Sequence, residues 1–409
     1  MEDYYVIETN GLRLLKLGLI YGANASGKTT ILKALNFLQT LVLNPKNQKT
    51  ETFNFEPFLF DKNTPKENTV FEIEFIQNDT RYYYEIEMNT DAIVREELYT
   101  YNPKKSNVFC RTTDLENQVS KIKFGSKINI NEITKINFEQ ITLWNNTVLG
   151  GFLKINLVSK ELKDAIDWFK TFLNPSIGTK TQLDSFITKK IEKSEINKGV
   201  ILEILRKADF NISDILIKEE EKEIPKGLIE FFEKQISIPQ KEVDELKENG
   251  KMTSVNLEFK HTIKDDSYSL SFKMESLGTQ RYYGFAGILY LLIKSSTLFP
   301  IDELENSLHP DLYQHFLFSF LVNSKKSQII ATTHNREILG DKDVFRNDVI
   351  WVTDKDNESC ATELYSFADF GTKVIRDTTN VLNAYKLGKL GGVPNLGDYY
   401  IDIESYERK

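Results

Sequence analysis

The sequence predicts an α/β protein with a mixed sheet, an antiparallel β layer and a helical insertion. Near the start, a short apolar strand leads through a glycine-rich turn into an amphipathic helix. Stretches of alternating polarity follow, and alternating strands and helices return after a helix-rich middle. We therefore expect an N-terminal lobe over 1–150, a helical insertion over 151–253 and a C-terminal lobe over 254–409.

The composition suits a chain with a large core. Of the 409 residues, 40% are hydrophobic and 27% are charged, and the net charge of −8 gives the whole chain no general affinity for polyanions. Cys110 and Cys360 lie far apart, as expected for reduced thiols. The most apolar run, about 282–293, is too short to span a bilayer, and the acidic start does not resemble a secretory signal. We expect a cytoplasmic protein without a membrane partner.

The N-terminal lobe combines one helix with several strands. The predicted elements are strand 17–21, helix 28–41, strand 70–76, strand 81–88 and strand 92–101. The helix carries apolar residues between Ile31 and Leu38 at helical spacing on one face. The pair Asn78-Asp79 is a turn signal between two alternating stretches and predicts a β-hairpin.

The middle of the chain is rich in Lys, Glu and Ile. The stretches 161–173 and 226–235 have helical periodicity, and we interpret the charged run Lys218–Lys222 as a solvated helix end or loop. Sustained heptads are lacking, which disfavours a long coiled-coil arm.

The C-terminal lobe returns to alternating elements. The predicted elements are strands 255–262 and 268–273, a helix beginning near Ser276, a helix from about Pro310 and strand 328–332. This order predicts a mostly parallel sheet.

The segment GANASGKT, Gly22–Thr29, fits the pattern G-x-x-x-x-G-K-[ST] between a predicted strand and a predicted helix. A chance glycine-rich turn is the alternative, but the flanking elements favour a phosphate-binding loop. Backbone N–H groups and the helix N-terminus would surround phosphate oxygens, Lys28 would reach the β- and γ-phosphates, and the Thr29 hydroxyl would bind Mg²⁺. The predicted nucleotide-binding residues are Gly22, Ala23, Asn24, Ala25, Ser26, Gly27, Lys28, Thr29 and Thr30.

The segment LFPIDE, 298–303, reads as a strand that ends in two acids. Asp302 would hold Mg²⁺ as a Walker B acid, and Glu303 would orient the attacking water or accept its proton. A loop with two acids is the alternative. Pro300 is unexpected in a central strand, because it removes a hydrogen bond of the ladder.

Two further motifs follow the same order along the chain. In ESLGTQR, Ser276 could cap a helix and Gly278 allows close approach of the backbone to a phosphate, although a plain helix start is the alternative. His334 follows the predicted strand in QIIATTH, where it is a candidate catalytic residue and a structural role is the alternative. His261 and His315 are interpreted as structural or exposed, and the sequence has no zinc spacing.

Together, GANASGKT, ESLGTQR, IDELENSLHP and ATTH resemble the ABC-type (SMC/Rad50-like) ATPases, and among them the AAA_15/AAA_21-like RloA/AbiL group of phage-defence systems. Related ATPases serve the PARIS, retron-associated Septu and OLD-nuclease systems. The segments 55–61 (FEPFLFD) and 384–394 (AYKLGKLGGVP) look like recurring elements of that group, and the resemblance covers about 17–150 and 255–395.

The resemblance implies a P-loop NTPase of ABC-ATPase type that uses ATP and Mg²⁺. It further implies a homodimer that sandwiches two nucleotides, with higher oligomers as a variant. Ser276 and Gly278 would contact the γ-phosphate held by the opposite subunit, His334 would sense it, and the 305–310 segment with His309 would lie at the dimer interface. A regulatory role over a separate effector protein follows, with DNA or a phage component as further candidate partners.

The sequence departs from this group in two ways. ABC-type heads begin with two or more strands before the P-loop strand, including residues that touch adenine, whereas about 16 residues precede Leu17 here. Either further strands precede Met1 in the full protein, or base recognition is handled differently. The expected Q-loop glutamine is also missing from 55–61.

Three other functions remain open. A RecF/Rad50-like DNA-repair head is the main alternative, and the short insertion and acidic charge disfavour it mildly. A nucleotide-binding subunit of a transporter is disfavoured by the missing Q-loop. A self-contained nuclease would need an acid cluster, and we interpret Asp354 and Asp356 as a hairpin turn instead.

Overall fold

The computed structural model describes residues 2–101, 103–223, 251–340, 346–370, 381–394 and 396–399. They divide into two compact units. Unit 1 takes the described residues of Met1–Thr179, Ser295–Glu305 and Leu321–Lys409. Unit 2 takes those of Lys180–Lys294 and Asn306–Phe320.

The strands are β1 (Val6–Thr9), β2 (Leu12–Leu15), β3 (Leu17–Gly22), β4 (Thr69–Gln77), β5 (Thr80–Met88), β6 (Ile93–Tyr101), β7 (Lys105–Asp114), β8 (Val119–Phe124), β9 (Asp214–Glu223), β10 (Lys251–Ile263), β11 (Asp266–Ser271), β12 (Leu298–Ile301), β13 (Gln328–Thr332), β14 (Ile350–Lys355) and β15 (Thr362–Ser366). The helices are α1 (Glu2–Tyr5), α2 (Lys28–Leu43), α3 (Glu132–Ile141), α4 (Val148–Phe152), α5 (Lys160–Asp167), α6 (Leu183–Glu192), α7 (Lys198–Lys207), α8 (Leu277–Lys294), α9 (Pro310–Asn323) and α10 (Val381–Lys386), with a π-helical turn over Trp168–Phe172.

The core of unit 1 is a mixed five-stranded sheet in the order β12-β13-β3-β14-β15. The first four strands are parallel and β15 is antiparallel to β14, so the predicted mixed sheet is confirmed. The central strand β3 is almost wholly buried, as expected for a parallel sheet covered on both faces. Its carboxyl end leads into α2, which places the glycine-rich loop at that edge.

The second sheet of unit 1 is the predicted antiparallel layer, in the order β4-β5-β6-β7-β8. Asn78 and Asp79 both have positive φ, 48° and 56°, at the two-residue connection of β4 to β5. This is the conformation that a type I′ hairpin turn requires, so the predicted hairpin is confirmed. Leu38, Leu41 and Val42 of α2 belong to the same buried cluster as this sheet.

A buried ion pair lies inside the antiparallel layer. Glu96 on β6 and Arg111 on β7 are completely buried, with Arg111 Nη1 4.0 Å from Glu96 Oε2. Glu96 accepts hydrogen bonds from the Tyr84 hydroxyl at 2.7 Å and the Val148 N–H at 2.6 Å. Burial raises the pKa of Glu96 and lowers the pKa of Arg111 to about 10. The pair therefore joins the sheet to the start of α4.

Pro300 is accommodated on the outer side of β12. The Pro300 carbonyl accepts a hydrogen bond from the Ile177 N–H at 2.9 Å. In a parallel strand, the N–H and the C=O of one residue point to the same side of the strand. The missing N–H of Pro300 therefore faces the irregular segment 173–177, which makes only isolated bridges to β12. The continuous ladder between β12 and β13 loses no donor.

Unit 2 contains α6, α7, α8 and a three-stranded sheet in the order β11-β10-β9. The interpretation of Lys218–Lys222 as a helix end or loop is wrong, because these residues belong to β9 and pair with β10. The ladder satisfies the backbone there, which a charge pattern alone does not reveal. The predicted helix over 226–235 lies outside the described residues.

The residues before β3 form the hairpin β1-β2, a separate two-stranded sheet. Among the helices that the structure describes, none is long and apolar enough to cross a membrane.

Candidate nucleotide-binding site

The predicted phosphate-binding loop joins β3 to α2. Gly27 has φ of 94°, a left-handed conformation that favours glycine, and Ala25 also has positive φ. A Cβ on Gly22 would lie 2.2 Å from Thr353 Oγ1, so only glycine fits that close approach. Ser26 and Thr353 share a hydrogen bond of 2.6 Å between their hydroxyls. The loop is thus fixed against the end of β14.

Lys28 lies within this loop and is only 7% exposed. Its ammonium donates to the carbonyls of Gly22 and Ala23, each at 2.9 Å. Burial lowers the pKa of Lys28, whereas nearby carboxylates, first that of Glu303, oppose the shift. An ammonium held by two carbonyls of the loop at the start of α2 is well placed to meet phosphate oxygens.

The Thr29 hydroxyl donates to both oxygens of Asp302, at 3.1 and 3.2 Å, across 273 residues of sequence. The Thr332 hydroxyl donates to Asp302 Oδ1 at 2.6 Å and accepts the Glu303 N–H at 2.8 Å. Hydroxyl and carboxylate oxygens are the ligands that Mg²⁺ prefers. The two predicted metal ligands therefore lie together and fit the ion chemically.

Glu303 follows Asp302 in a left-handed conformation with φ of 47°. Such a conformation in a residue other than glycine costs on the order of 1–3 kcal/mol and is concentrated at functional sites. The hydrogen bond from its N–H to Thr332 holds this backbone.

Glu305 is a site residue that the sequence reasoning missed. Its Oε1 accepts the backbone N–H of His334 at 2.5 Å, and its Oε2 is buried without a hydrogen-bond partner in the described part of the chain. The His334 residue itself is exposed. The sequence could have indicated Glu305, because it is the third acidic residue of the segment IDELE. Thr332 and Thr353 were also missed as site residues, although Thr332 lies in the segment QIIATTH.

The C-terminal segment 384–394 lies against the same loop. Tyr385 donates from its hydroxyl to the Gly392 carbonyl at 3.0 Å. A Cβ on Gly392 would lie 2.4 Å from Val352 and 3.3 Å from Gly22 Cα. The segment therefore packs where β3 passes into the predicted phosphate-binding loop.

The predicted signature residues belong to unit 2, whereas the loop, Asp302, Glu303 and His334 belong to unit 1. Ser276 precedes α8 and accepts the Thr279 N–H at 3.1 Å, as an N-cap does. A Cβ on Gly278 would lie 3.1 Å from the Ser307 carbonyl. Met274 and Leu277 beside them are each 72% exposed.

Two of the other histidines make side-chain contacts within unit 2, and His309 lies on the segment predicted for the dimer interface. His261 contacts Glu275 at 2.7 Å, and His315 contacts the Tyr282 hydroxyl at 2.9 Å. His309 is exposed beside Asp311. The described residues contain no group of three or more His, Cys, Asp or Glu side chains that could hold a metal ion. Asp356 turns the β14–β15 hairpin, accepting the Ser359 N–H at 2.7 Å.

One protein-family model, described as "AAA domain, putative AbiEii toxin, Type IV TA system", matches residues 19–146 and 164–340. No protein of curated function matches the sequence. Among solved structures, the chain is similar to "Crystal structure of the SmcHead bound to the C-winged helix domain of ScpA", with 11% identity, coverage of 86% of this chain and 90% of that chain, and a TM-score of 0.40. It is also similar to "SMC head domain from Thermotoga maritima", with 13% identity, coverage of 88% and 97%, and a TM-score of 0.35.

Proposed function

Since the chain belongs to the AAA-domain family whose model spans residues 19–146 and 164–340, it is an ATPase, and we propose that it works as an ATP-driven regulatory switch. Two copies close around two ATP molecules, and hydrolysis reopens the pair. The observation that carries the proposal is the convergence of Lys28, Thr29 and Asp302 at one edge of the core sheet.

The phosphates are bound by Gly22–Thr29. The loop places backbone N–H groups at the N-terminus of α2, a 16-residue helix, and this arrangement attracts anions. Lys28 exchanges its bonds to two loop carbonyls for bonds to the β- and γ-phosphates. Thr29 and Asp302 are the residues that would hold Mg²⁺, which neutralises charge on the γ-phosphate.

Turnover depends on Glu303, which accepts a proton from the attacking water or orients it. Thr332 supports this role by fixing the backbone N–H of Glu303 and one oxygen of Asp302 together. Glu305 positions the His334 backbone, so the segment that follows β13 is tied to the same acidic strand end.

The composite site is completed by a second copy of the chain. Ser276 precedes an 18-residue helix and Gly278 lies in its first turn, where the N-terminal N–H groups suit a γ-phosphate. The exposed side chains of Met274 and Leu277 supply apolar surface for contact with the partner. In the closed pair, the 305–310 segment packs across the two-fold axis.

The biological role that we propose is the sensor component of an anti-phage defence system in the cytoplasm. The family description names a putative toxin of a type IV system. We infer that this chain acts with a separate effector protein. ATP supplies the contacts that differ between the open and closed pairs, so an effector that binds one of them is held or released by turnover.

The test separates binding from turnover. Lys28→Ala should abolish ATP binding, because Lys28 contacts ground-state phosphates, whereas Glu303→Gln should bind ATP and lose hydrolysis by about 100-fold or more. Calorimetry measures binding, phosphate release measures turnover, and Glu358→Gln on an exposed loop is the control. Hydrolysis by Glu303→Gln at the wild-type rate would contradict the assignment of the base.

A further inference from the structure

An exposed aromatic residue lies on the connection between α2 and β4. The side chains of Phe58, Leu59 and Phe60 are 37%, 65% and 71% exposed, so exposure increases along this short stretch. The rings of Phe58 and Phe60 meet edge to face, with centroids 5.7 Å apart. Phe58 thereby supports the Phe60 ring from one side and leaves most of the ring open.

Phe60 is connected to the phosphate-binding loop by two contacts. Lys355, at the end of β14, has its ammonium 5.3 Å from the centroid of the Phe60 ring. Thr362 lies directly opposite Lys355 in the β14–β15 ladder. The Thr362 side chain packs on Gly27, where a Cβ would lie 2.7 Å from Thr362 Oγ1. Directly opposed residues of an antiparallel pair project to the same face of the sheet, with their strands ~5 Å apart. Phe60 and Gly27 therefore pack over neighbouring positions on one face of the β14–β15 hairpin.

We propose that Phe60 is the stacking platform for the adenine of the nucleotide that Gly22–Thr29 holds. An aromatic face recognises a base by stacking, without hydrogen bonds. Because the ring and Gly27 lie over the same face of the β14–β15 hairpin, a base on the ring and phosphates at the loop can belong to one nucleotide. This inference rests on the proposed function, because it requires the triphosphate to bind at the loop.

The ring is better suited to a nucleotide than to an apolar partner. Lys355 places a positive charge over one face of the ring, and Lys28 places another in the loop. A neutral apolar surface covering Phe60 would have to desolvate the Lys355 ammonium, whereas an anionic nucleotide gains from it. Base recognition then comes from a segment after the phosphate-binding loop.

The experiment compares ATP with inorganic tripolyphosphate, which has the phosphates but no base. Calorimetry should give a Kd for ATP that rises roughly 5- to 150-fold in Phe60→Ala, while the Kd for tripolyphosphate stays within twofold of wild type. Leu59→Ala is the matched control, because Leu59 is as exposed on the same loop, and both of its Kd values should be unchanged.

A second variant reads stacking directly. Phe60→Trp should retain the affinity for ATP. The fluorescence of the added tryptophan is obtained by subtracting the wild-type signal, which comes from the three native tryptophans. ATP should quench this fluorescence, and tripolyphosphate should not.

The outcomes distinguish the two proposals. If wild type binds both ligands and Phe60→Ala leaves the Kd for ATP unchanged, stacking is overturned and the phosphate site stands. Equal weakening of both ligands also overturns stacking. If wild type binds neither ligand, the proposed function fails and the inference falls with it.

Discussion

Thr332 offers a sharp test of how the acidic strand end is built. The substitution Thr332→Val keeps the shape of the side chain and removes its hydroxyl. Two hydrogen bonds are lost: the 2.6 Å bond to Asp302 and the 2.8 Å bond from the Glu303 N–H. A bond to a charged group contributes ~1.5–3 kcal/mol and a neutral one ~1 kcal/mol, so the total is about 3 kcal/mol.

That energy sets the size of the effect. If it is lost in the transition state alone, kcat falls by about 100-fold, because ~1.4 kcal/mol corresponds to a factor of ten. If part of it is lost in the folded state, thermal unfolding shifts to lower temperature and kcat falls less. The affinity for ATP should change little, because Lys28 and the loop are untouched.

Phosphate release, calorimetry and thermal unfolding measure these three quantities. Thr40→Val, at an exposed position on α2, is the control and should change none of them. A Thr332→Val protein with wild-type kcat and wild-type thermal stability would refute the role given to this hydroxyl.

Two further predictions address association and stability. Glu303→Gln should sediment as a dimer with ATP and Mg²⁺ at micromolar concentration. Adding Ser276→Arg should make it monomeric, whereas adding Ser269→Arg, an exposed change on β11, should leave the dimer intact. An ATP-bound Glu303→Gln protein that stays monomeric would contradict the nucleotide-sandwich dimer. Glu96→Gln should lower the free energy of unfolding by about 3–5 kcal/mol, because Arg111 keeps a buried charge without its partner. Glu74→Gln breaks the exposed ion pair with Arg81 and should lower the free energy of unfolding by under about 1 kcal/mol. If chemical denaturation gave equal losses for Glu96→Gln and Glu74→Gln, burial of the ion pair would not be what makes it important.

Local signals predicted much of the fold. Asn78-Asp79 specified a hairpin because both residues tolerate positive φ, which the structure confirms. Ser276 marked a helix start, and α8 begins at the next residue. In each case the interactions that form the element lie within a few residues of the predicting residue, so a short stretch of sequence is enough to predict it.

Other features depend on contacts between residues that are far apart in the sequence. β9 forms because a ladder with β10 satisfies its backbone, although Lys218–Lys222 is dense in charge. Thr353 contacts Ser26 across 327 residues. A threonine inside an apolar strand carries no local mark of that contact. Its partner is set by which strands are neighbours and in which register they pair.

The register of the core sheet is what assembles the candidate site. Thr353 pairs with Gly22, Thr332 with Ile20 and Ile301 with Ala331. Asp302 follows Ile301, so its carboxylate falls at the same edge as the start of the loop and the end of β13. A shift of one residue would turn these side chains to the opposite face of the sheet.

The same register explains how the strained Glu303 backbone is tolerated. Pairing with β3 fixes the position of the Thr332 backbone. The Thr332 hydroxyl can therefore accept the hydrogen bond from the Glu303 N–H. A left-handed residue with that N–H unpaired would bear both the strain and the cost of an unsatisfied donor. We therefore expect the Glu303 backbone to keep this conformation whether or not nucleotide is bound, because the sheet and not the ligand fixes it.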